Sequence, residues 1–329
     1  MAEGDITTNT LYKDRPEFKD VTPMYNSKAE DSIVPIALDE EFVDAFAYLR
    51  ALMNAEEISE RAFELTGTCA KLNPANYSVW EYRRKILKGL NKDLIEELQL
   101  CEESILENLK NYQVWHHRRE LVLWINNKEV DMTFVDAVLN DDVKNYHAWQ
   151  HRIFLVRHFK VALKTELRFS TEFISRDVFN NSAWNYRYFV VTEMSDNFEK
   201  TEIINDEIQF VMNYIQAAVN NASSWAYLSG LMEFSTFTAH PEVLDFTRKL
   251  LIPPDASQDA ELVIAKSAPN SYALSFLAEA MIALIEEKNP QPNGLQTARA
   301  CYERLIVVDP LRKRLWNYKL HEVLNLASV

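Results

Sequence analysis

Apolar residues recur along most of the chain at the spacing of an amphipathic helix. Between Asp93 and Leu109 they advance in steps of four, three and four, which puts them on one helical face: Leu94, Leu98, Cys101 and Ile105. The glutamates between them are predicted to face water: Glu96, Glu97, Glu103 and Glu107. Because this pattern continues along the chain, it predicts an all-α protein.

Tryptophans mark an internal repeat. Four of them are separated by 35, 34 and 35 residues, and a fifth follows after 41: Trp80, Trp115, Trp149, Trp184 and Trp225. Each of the first four has an Asn four residues before it, which suits a helix N-cap, and an Arg three residues after it. A unit of about 35 residues made of two helices cannot bury its apolar face alone, so neighbouring units must stack. The repeat therefore predicts a curved α-α solenoid.

The repeats divide the chain into two regions. Residues 1–39 contain three prolines and no sustained helical period, which predicts an extended N-terminal arm that is either disordered or laid on a partner. Residues 40–329 are predicted to form one helical-repeat domain. Its repeats are clear around the first four tryptophans and weaker around Trp225 and Trp316.

Positions that recur in every clear copy are interpreted as the framework of the repeat. The tryptophans are predicted to be core aromatics, whose indole N–H needs one partner. The arginines lie on the same helical face, where a buried guanidinium must be paired: Arg83, Arg118, Arg152 and Arg187. Their predicted partners are the polar residues seven before each Trp: Asn73, Asn108, Asp142 and Asp177.

Composition argues against several classes of protein. The 329 residues include only five Gly and no Gly-rich phosphate motif, which disfavours Rossmann and P-loop folds. A formal charge of −14 argues against a general nucleic-acid binder, which needs a basic face. No apolar run is long enough to span a membrane, and the three cysteines have neither disulfide nor metal-site spacing. These features predict a cytoplasmic protein without a metal site of its own.

Positions that vary between the repeats are where a site can be built. They stand at helix starts, which favour anions, and in the second and third repeats they line one edge: Lys110, Tyr112, Gln113, Tyr146 and His147. This edge suits a phosphate or a carboxylate, and a solvated lysine among capping polar groups is the alternative interpretation. His116, His117 and His151 lack a third ligand at metal-site spacing, so they are predicted to be solvated or core histidines.

The repeats resemble the protein prenyltransferase α-subunit family, in particular the α subunit shared by protein farnesyltransferase and geranylgeranyltransferase type I. Residues 111–119 (Asn-Tyr-Gln-Val-Trp-His-His-Arg-Arg) and 144–152 (Lys-Asn-Tyr-His-Ala-Trp-Gln-His-Arg) carry the resemblance, with support from 11–23 and 59–66. It covers residues 10–230 well. It implies a right-handed, crescent-shaped superhelix of helical hairpins wrapped around a β subunit.

The resemblance also implies a reaction. The family's two subunits move a farnesyl or geranylgeranyl group from its diphosphate to the cysteine thiol of CaaX-terminated proteins such as small GTPases. The β subunit is implied to hold a zinc ion that makes the thiolate, and magnesium is implied at the diphosphate.

Functional positions of the family carry over onto single residues of this sequence. Lys110 matches a lysine that stabilises the charge on the leaving diphosphate, and Tyr146 matches a tyrosine placed near the same group. Gln113 matches a contact to the carboxylate of the peptide substrate. Further positions in or beside the substrate cavity match Tyr112, Tyr77, His147 and Asn145.

Two other interpretations stay open. The α subunit of a Rab-type geranylgeranyltransferase is expected to carry extra domains after its repeats, for which the chain has little room beyond Trp316. A non-catalytic helical scaffold would merely bind a partner. Lys110 beside Gln113 argues against the scaffold, which has no need of a cation for a diphosphate next to a donor for a carboxylate.

Overall fold

The computed structural model describes residues 10–26, 37–195, 200–252, 263–264 and 268–326. In this part of the chain there are fifteen α-helices and three short 3₁₀ helices, and no residue lies in a strand. The prediction of an all-α repeat protein is therefore confirmed. The chain divides into two compact units, Met1–Phe159 and Lys160–Val329.

The first unit is a series of helical hairpins. Its helices are α1 (Glu40–Asn54), α2 (Glu60–Leu72), α3 (Tyr77–Leu90), α4 (Leu94–Glu107), α5 (Tyr112–Ile125), α6 (Lys128–Asp141) and α7 (Tyr146–Phe159). Helices α2, α4 and α6 each pack against the tryptophan helix that follows them. The packing unit is thus a hairpin that ends with its tryptophan helix.

The described part of the N-terminal arm is folded onto this unit. Tyr12 and Phe18 are buried, and their rings meet edge to face at 5.0 Å. The backbone N–H of Tyr12 donates to Asp44 on α1 at 2.5 Å, and the Tyr12 hydroxyl donates to Thr68 on α2 at 2.8 Å. Residues 10–26 therefore pack on α1 and α2, while residues 1–9 and 27–36 of the predicted arm lie outside the described residues.

Each tryptophan helix begins as the sequence predicts. The Asn76 side chain caps α3 by accepting the N–H groups of Ser78 and Val79, and Asn111 caps α5 in the same way. All four tryptophans are buried, and each indole N–H donates to the carbonyl six residues earlier, at 2.8, 3.0, 3.0 and 2.8 Å for Trp80, Trp115, Trp149 and Trp184. Each tryptophan thus fixes the turn that precedes its own helix.

The second unit continues the hairpins in a looser form. Its helices are α8 (Leu163–Arg176), α9 (Asn181–Ser195), α10 (Lys200–Ala217), α11 (Ala222–Met232), α12 (Pro241–Leu251), α13 (Ser271–Glu286), α14 (Gly294–Val308) and α15 (Lys313–Leu326). Leu228 stands where the recurring arginine would be, and Leu274 replaces the tryptophan behind the capping Asn270. The Trp316 indole donates to the Asp309 carboxylate at 3.1 Å, where earlier tryptophans use a carbonyl.

The prediction for the partners of the recurring arginines is wrong. Asn108, Asp142 and Asp177 instead accept the backbone N–H two residues further on, at 3.2, 3.3 and 2.9 Å, while Asn73 ends α2. All four arginines are buried and paired with a carboxylate. Three partners stand on the following helix (Arg83 with Glu97, Arg118 with Asp131 and Arg187 with Glu207), and the partner of Arg152 is Asp136 on the preceding helix.

Buried carboxylates tie successive hairpins together. Glu97 on α4 accepts a hydrogen bond from Arg83 Nε in the preceding hairpin at 2.7 Å. It also bonds His117 Nε2 in its own hairpin at 2.8 Å. Asp131 joins Arg118 and His151 in the same way, and in the second unit Glu207 joins Arg187 and Tyr227. Glu97 is only 3% exposed, so the prediction that it faces water is wrong. A charge can be buried at this position because both of its neighbours hydrogen-bond it.

The pKa values of three groups in this buried network, His117, Glu97 and Asp131, are all lowered. Burial disfavours the charged His117 ring and lowers its pKa below the usual 6.5, although the bond to Glu97 opposes the shift. Burial alone would raise the pKa of Glu97, but hydrogen bonds from His117 and Arg83 hold it below 4.5. The pKa of Asp131 is likewise held below 3.8, because bonds from His151 and Arg118 outweigh its burial.

Acid is therefore expected to destabilise the chain through this network. Each group binds fewer protons in the folded than in the unfolded state, so stability is lost below pH 6.5 for His117 and below the ordinary carboxyl range for Glu97 and Asp131. The check is the unfolding midpoint between about pH 7.5 and about pH 4, for the wild type and for His117→Gln. The variant should lose the part of the pH dependence that lies just below 6.5. Equal slopes for the two proteins would contradict the burial account of His117.

The sequence predicts that the cysteines form no disulfide framework and that no apolar run is long enough to span a membrane. The cysteines Cys69, Cys101 and Cys301 are free and buried. None of the helices in the described ranges is both long and apolar enough to cross a bilayer.

Candidate functional site

The starts of three tryptophan helices place phenol rings on the surface. Tyr77, Tyr112 and Tyr146 are the first residues of α3, α5 and α7, and they are 68%, 67% and 63% exposed. The capping asparagine directly before each tyrosine turns the chain into the helix, which leaves the first side chain outside the core. Exposed aromatic side chains in a row are typical of a surface that meets a ligand or a partner.

Lys110 is exposed in the turn between α4 and α5. Its backbone N–H donates to Asn108 Oδ1 at 3.2 Å, and the carbonyl of Leu109 accepts the Trp115 indole at 3.0 Å. The backbone of this turn is therefore held by hydrogen bonds, while the ammonium group reaches solvent.

His147 connects the two hairpins at this edge. Its ring meets that of Tyr112 edge to face at 4.2 Å and that of Tyr146 at 5.6 Å. Burial lowers the pKa of His147, and a hydrogen bond to the Lys110 backbone opposes the shift. Burial therefore favours the neutral ring, and the hydrogen bond anchors the ring to the lysine turn. We call Lys110, Tyr112, Gln113, Tyr146 and His147 the α5–α7 edge.

The other two predicted substrate contacts lie deeper. Gln113 is half-buried in the first turn of α5, and its backbone N–H is capped by Asn111 Oδ1 at 3.0 Å. Asn145 is only 2% exposed: Oδ1 accepts the N–H of Ala148 at 2.9 Å, and Nδ2 donates to the Leu109 carbonyl at 3.3 Å. The structure thus commits the Asn145 side chain to the frame beneath the edge.

A cleft of about 190 Å³ continues from the edge between α5 and α7. Its walls include Arg119 and Gln150, which are not among the site residues predicted from the sequence. Arg119 stacks on the ring of Phe154 at 4.4 Å. The exposure of Arg119 and Gln150 could have been predicted from the repeat, because residues one and four after each tryptophan share a helical face that points away from the core.

The histidines do not build a metal site. Across the ranges that the structure describes, no three His, Cys, Asp or Glu side chains gather closely enough to hold an ion. His117 and His151 bond Glu97 and Asp131 inside the frame. His116 is exposed and lines the cleft.

The arrangement is suited to binding an anion. The α5–α7 edge presents one ammonium group, phenol hydroxyls and the starts of two helices, where the helix dipole favours negative charge. Helix α7 contains no acidic residue, and α5 contains only Glu120. A phosphate or carboxylate at this edge would therefore meet little repulsion from these two helices.

Comparison with known proteins agrees with this geometry. The sequence pattern described as the protein prenyltransferase alpha subunit repeat matches residues 59–90, 94–125, 129–159 and 163–194, and each match spans one hairpin that ends with a tryptophan helix. A Dictyostelium discoideum protein named protein farnesyltransferase/geranylgeranyltransferase type-1 subunit alpha is 30% identical over 320 residues, which are 95% of this chain and 94% of that protein. The chain belongs to the prenyltransferase α-subunit family.

Other members of the prenyltransferase α-subunit family match over a similar length. A Candida albicans protein of the same name is 31% identical over 316 residues, covering 93% of this chain and 97% of that protein. The solved structure of Candida albicans protein geranylgeranyltransferase-I complexed with GGPP superimposes with a TM-score of 0.77 at 30% identity, covering 92% of this chain and 97% of that one. The resemblance seen in the sequence is confirmed, and the match extends well past Trp225 into the loosened repeats.

Proposed function

We propose that this chain is the α subunit of a heterodimeric CaaX protein prenyltransferase, active in the cytoplasm only when it is assembled with a β subunit. The complex would transfer a farnesyl or geranylgeranyl group from its diphosphate to a cysteine thiol. The observation that carries the proposal is the α5–α7 edge: an exposed lysine among phenols and an imidazole at two helix starts, in a chain that matches shared α subunits along nearly its whole length. Three free, buried cysteines suit a reducing compartment.

Each residue of the edge has a role in this reaction. The thiolate sulfur forms a bond to the isoprenoid carbon, the C–O bond breaks, and the diphosphate leaves with the electron pair. Lys110 would stabilise the negative charge that grows on the leaving oxygens, and the Tyr146 hydroxyl would donate a hydrogen bond to the same group. Gln113 would donate to the terminal carboxylate of the peptide. Tyr112 and Tyr77 would line the cavity.

The metals of the reaction are assigned outside this chain. The residues that the structure describes offer no cluster of ligands for zinc. The proposal therefore gives the zinc that makes the thiolate to the β subunit, and it places magnesium with the diphosphate beside Lys110.

Two alternative functions would use the α5–α7 edge differently. A non-catalytic scaffold would bind a partner with the exposed tyrosines, and Lys110 would take part in no reaction. A Rab-type α subunit would also transfer lipid. Two relatives are covered over 94% and 97% of their own length by this chain, and both are named as the shared farnesyltransferase/geranylgeranyltransferase type-1 subunit.

The proposal is tested by co-expression with farnesyl-type and geranylgeranyl-type-I β subunits. We expect a complex that copurifies at equal stoichiometry and transfers lipid from the diphosphate to a CaaX peptide, while either subunit alone is inactive. A peptide whose CaaX cysteine is replaced by serine is the control. A chain that stays monomeric with both β subunits, or a stable complex without transfer, would favour the scaffold.

A further inference from the structure

The turn that carries Lys110 is held first by its own hairpin. Asn108 at the end of α4 accepts the Lys110 N–H at 3.2 Å, and the carbonyl of Leu109 accepts the Trp115 indole at 3.0 Å. Both contacts are made by residues within six positions of the lysine. They fix the turn relative to α5.

The next hairpin holds the same turn a second time. Asn145 Nδ2 donates to the Leu109 carbonyl at 3.3 Å, so that this oxygen accepts two hydrogen bonds. The His147 ring also hydrogen-bonds the Lys110 backbone, and since the Lys110 N–H already donates to Asn108, the ring donates to the Lys110 carbonyl. His147 is itself packed against Tyr112 at 4.2 Å. The lysine turn is thus clamped between α5 and α7.

One half of this clamp recurs where no lysine is present. In the second unit Asn221 Nδ2 donates to the carbonyl of Val178 at 2.7 Å, and the Trp184 indole donates to the same oxygen at 2.8 Å. The residue after Val178 is Phe179, at the repeat position that Lys110 occupies. The asparagine link is therefore a general device of the repeat, and at Leu109 it stands directly before an exposed cation.

We propose that Asn145 and His147 are positioning residues, which act on the transferred diphosphate through Lys110 by holding the Leu109–Lys110 turn. This inference rests on the proposed function of Lys110. It replaces substrate contact as the role expected of these two residues from the sequence. It predicts that their loss weakens the contribution of Lys110 without removing a contact to the peptide.

The first test compares two matched variants in the complex with the β subunit. Asn145→Asp keeps the capping oxygen but removes the N–H₂ group, which donates to Leu109 and, at 3.3 Å, also to Asp142. Asn221→Asp removes the corresponding donor to Val178, where Ala218 stands at the repeat position of Asp142. We expect Asn145→Asp to lower the single-turnover rate by about 10- to 100-fold with an unchanged KM for the peptide, because a displacement near 1 Å can cost that much. Asn221→Asp should also lower the melting temperature but leave the rate within about twofold.

The second test is a double-mutant cycle. His147→Phe keeps a ring against Tyr112 but cannot donate to the Lys110 carbonyl. Measured alone, it should slow transfer by about tenfold or more. In the Lys110→Ala background it should change the rate by less than about twofold, because the group it positions is gone. An equal loss in both backgrounds would show that His147 acts on the substrate directly and would overturn the proposal.

A readout without chemistry separates this proposal from the proposed function. Hydrogen exchange of residues 108–112 in the assembled complex should be faster in Asn145→Asp and His147→Phe, and unchanged in Asn221→Asp. Unchanged exchange in the first two variants would overturn the positioning role even if transfer falls. A third outcome combines faster exchange in these two variants with normal transfer by Lys110→Ala. It would show that Asn145 and His147 hold the turn but that Lys110 does not act on the diphosphate. The positioning role in catalysis would then be overturned together with the role of Lys110.

Discussion

Replacing Asp131 by alanine is expected to lower the free energy of unfolding by about 3–5 kcal/mol. Asp131 is buried between the Arg118 guanidinium and the His151 ring, and it joins two hairpins of the first unit. Its removal leaves Arg118 charged and buried, with the Phe134 ring, 3.6 Å from the guanidinium, as remaining support. Cation–π contact with a ring returns only a small part of the lost interaction.

Chemical denaturation of the chain in its complex and alone measures this effect. Glu129→Ala is the matched control, because it removes a carboxylate from the same helix where the pair with Lys128 is exposed and 3.8 Å long. The control should change the free energy of unfolding by less than about 1 kcal/mol. Similar losses in the two variants would show that the buried network contributes no more than surface charge does.

The repeat could be predicted from the sequence because its signals are local. Tryptophan, capping asparagine and arginine recur at fixed distances within one helix start, and the packing of Trp115 and Trp149 uses those distances. The carboxylates were not found in this way, because an acid such as Glu97 in a helix is ordinarily solvated. Its signal lies across hairpins: Glu97 and Asp131 follow their tryptophans by 17 and 16 residues, and the histidine that bonds each of them stands twenty residues later.

In the candidate site, too, features that are local to one helix start could be predicted from the sequence, while contacts between hairpins could not. Lys110 and Tyr112 stand at a helix start, where a side chain points outward whatever the partner does. Asn145 was expected at the ligand, but its amide is consumed by contacts to Leu109 and Ala148, which depend on how two hairpins stack. Arg119 was not predicted, although it stands on the outward face of α5, four residues after Trp115. Stacking between repeats decides the contacts of Asn145, and no pattern within one repeat contains that information.

Lys110→Ala is expected to lower the rate of lipid transfer by about 10²–10³-fold in the assembled complex. The side chain is exposed in its turn, and its backbone contacts do not involve the ammonium group. Folding and assembly should therefore be unaffected. The loss is expected in the chemical step, because the charge that Lys110 stabilises grows only as the diphosphate leaves. Steady-state KM for the peptide should stay within about threefold.

The most direct test of the account is a single-turnover measurement with the wild-type complex, Lys110→Ala and Lys144→Ala. Lys144 is exposed in the corresponding turn one repeat later, so its removal takes the same charge from the same kind of site. The account predicts a loss of about 10²–10³-fold for Lys110→Ala and less than about tenfold for Lys144→Ala. Unchanged transfer by Lys110→Ala, or equal losses in the two variants, would contradict a diphosphate site built around Lys110.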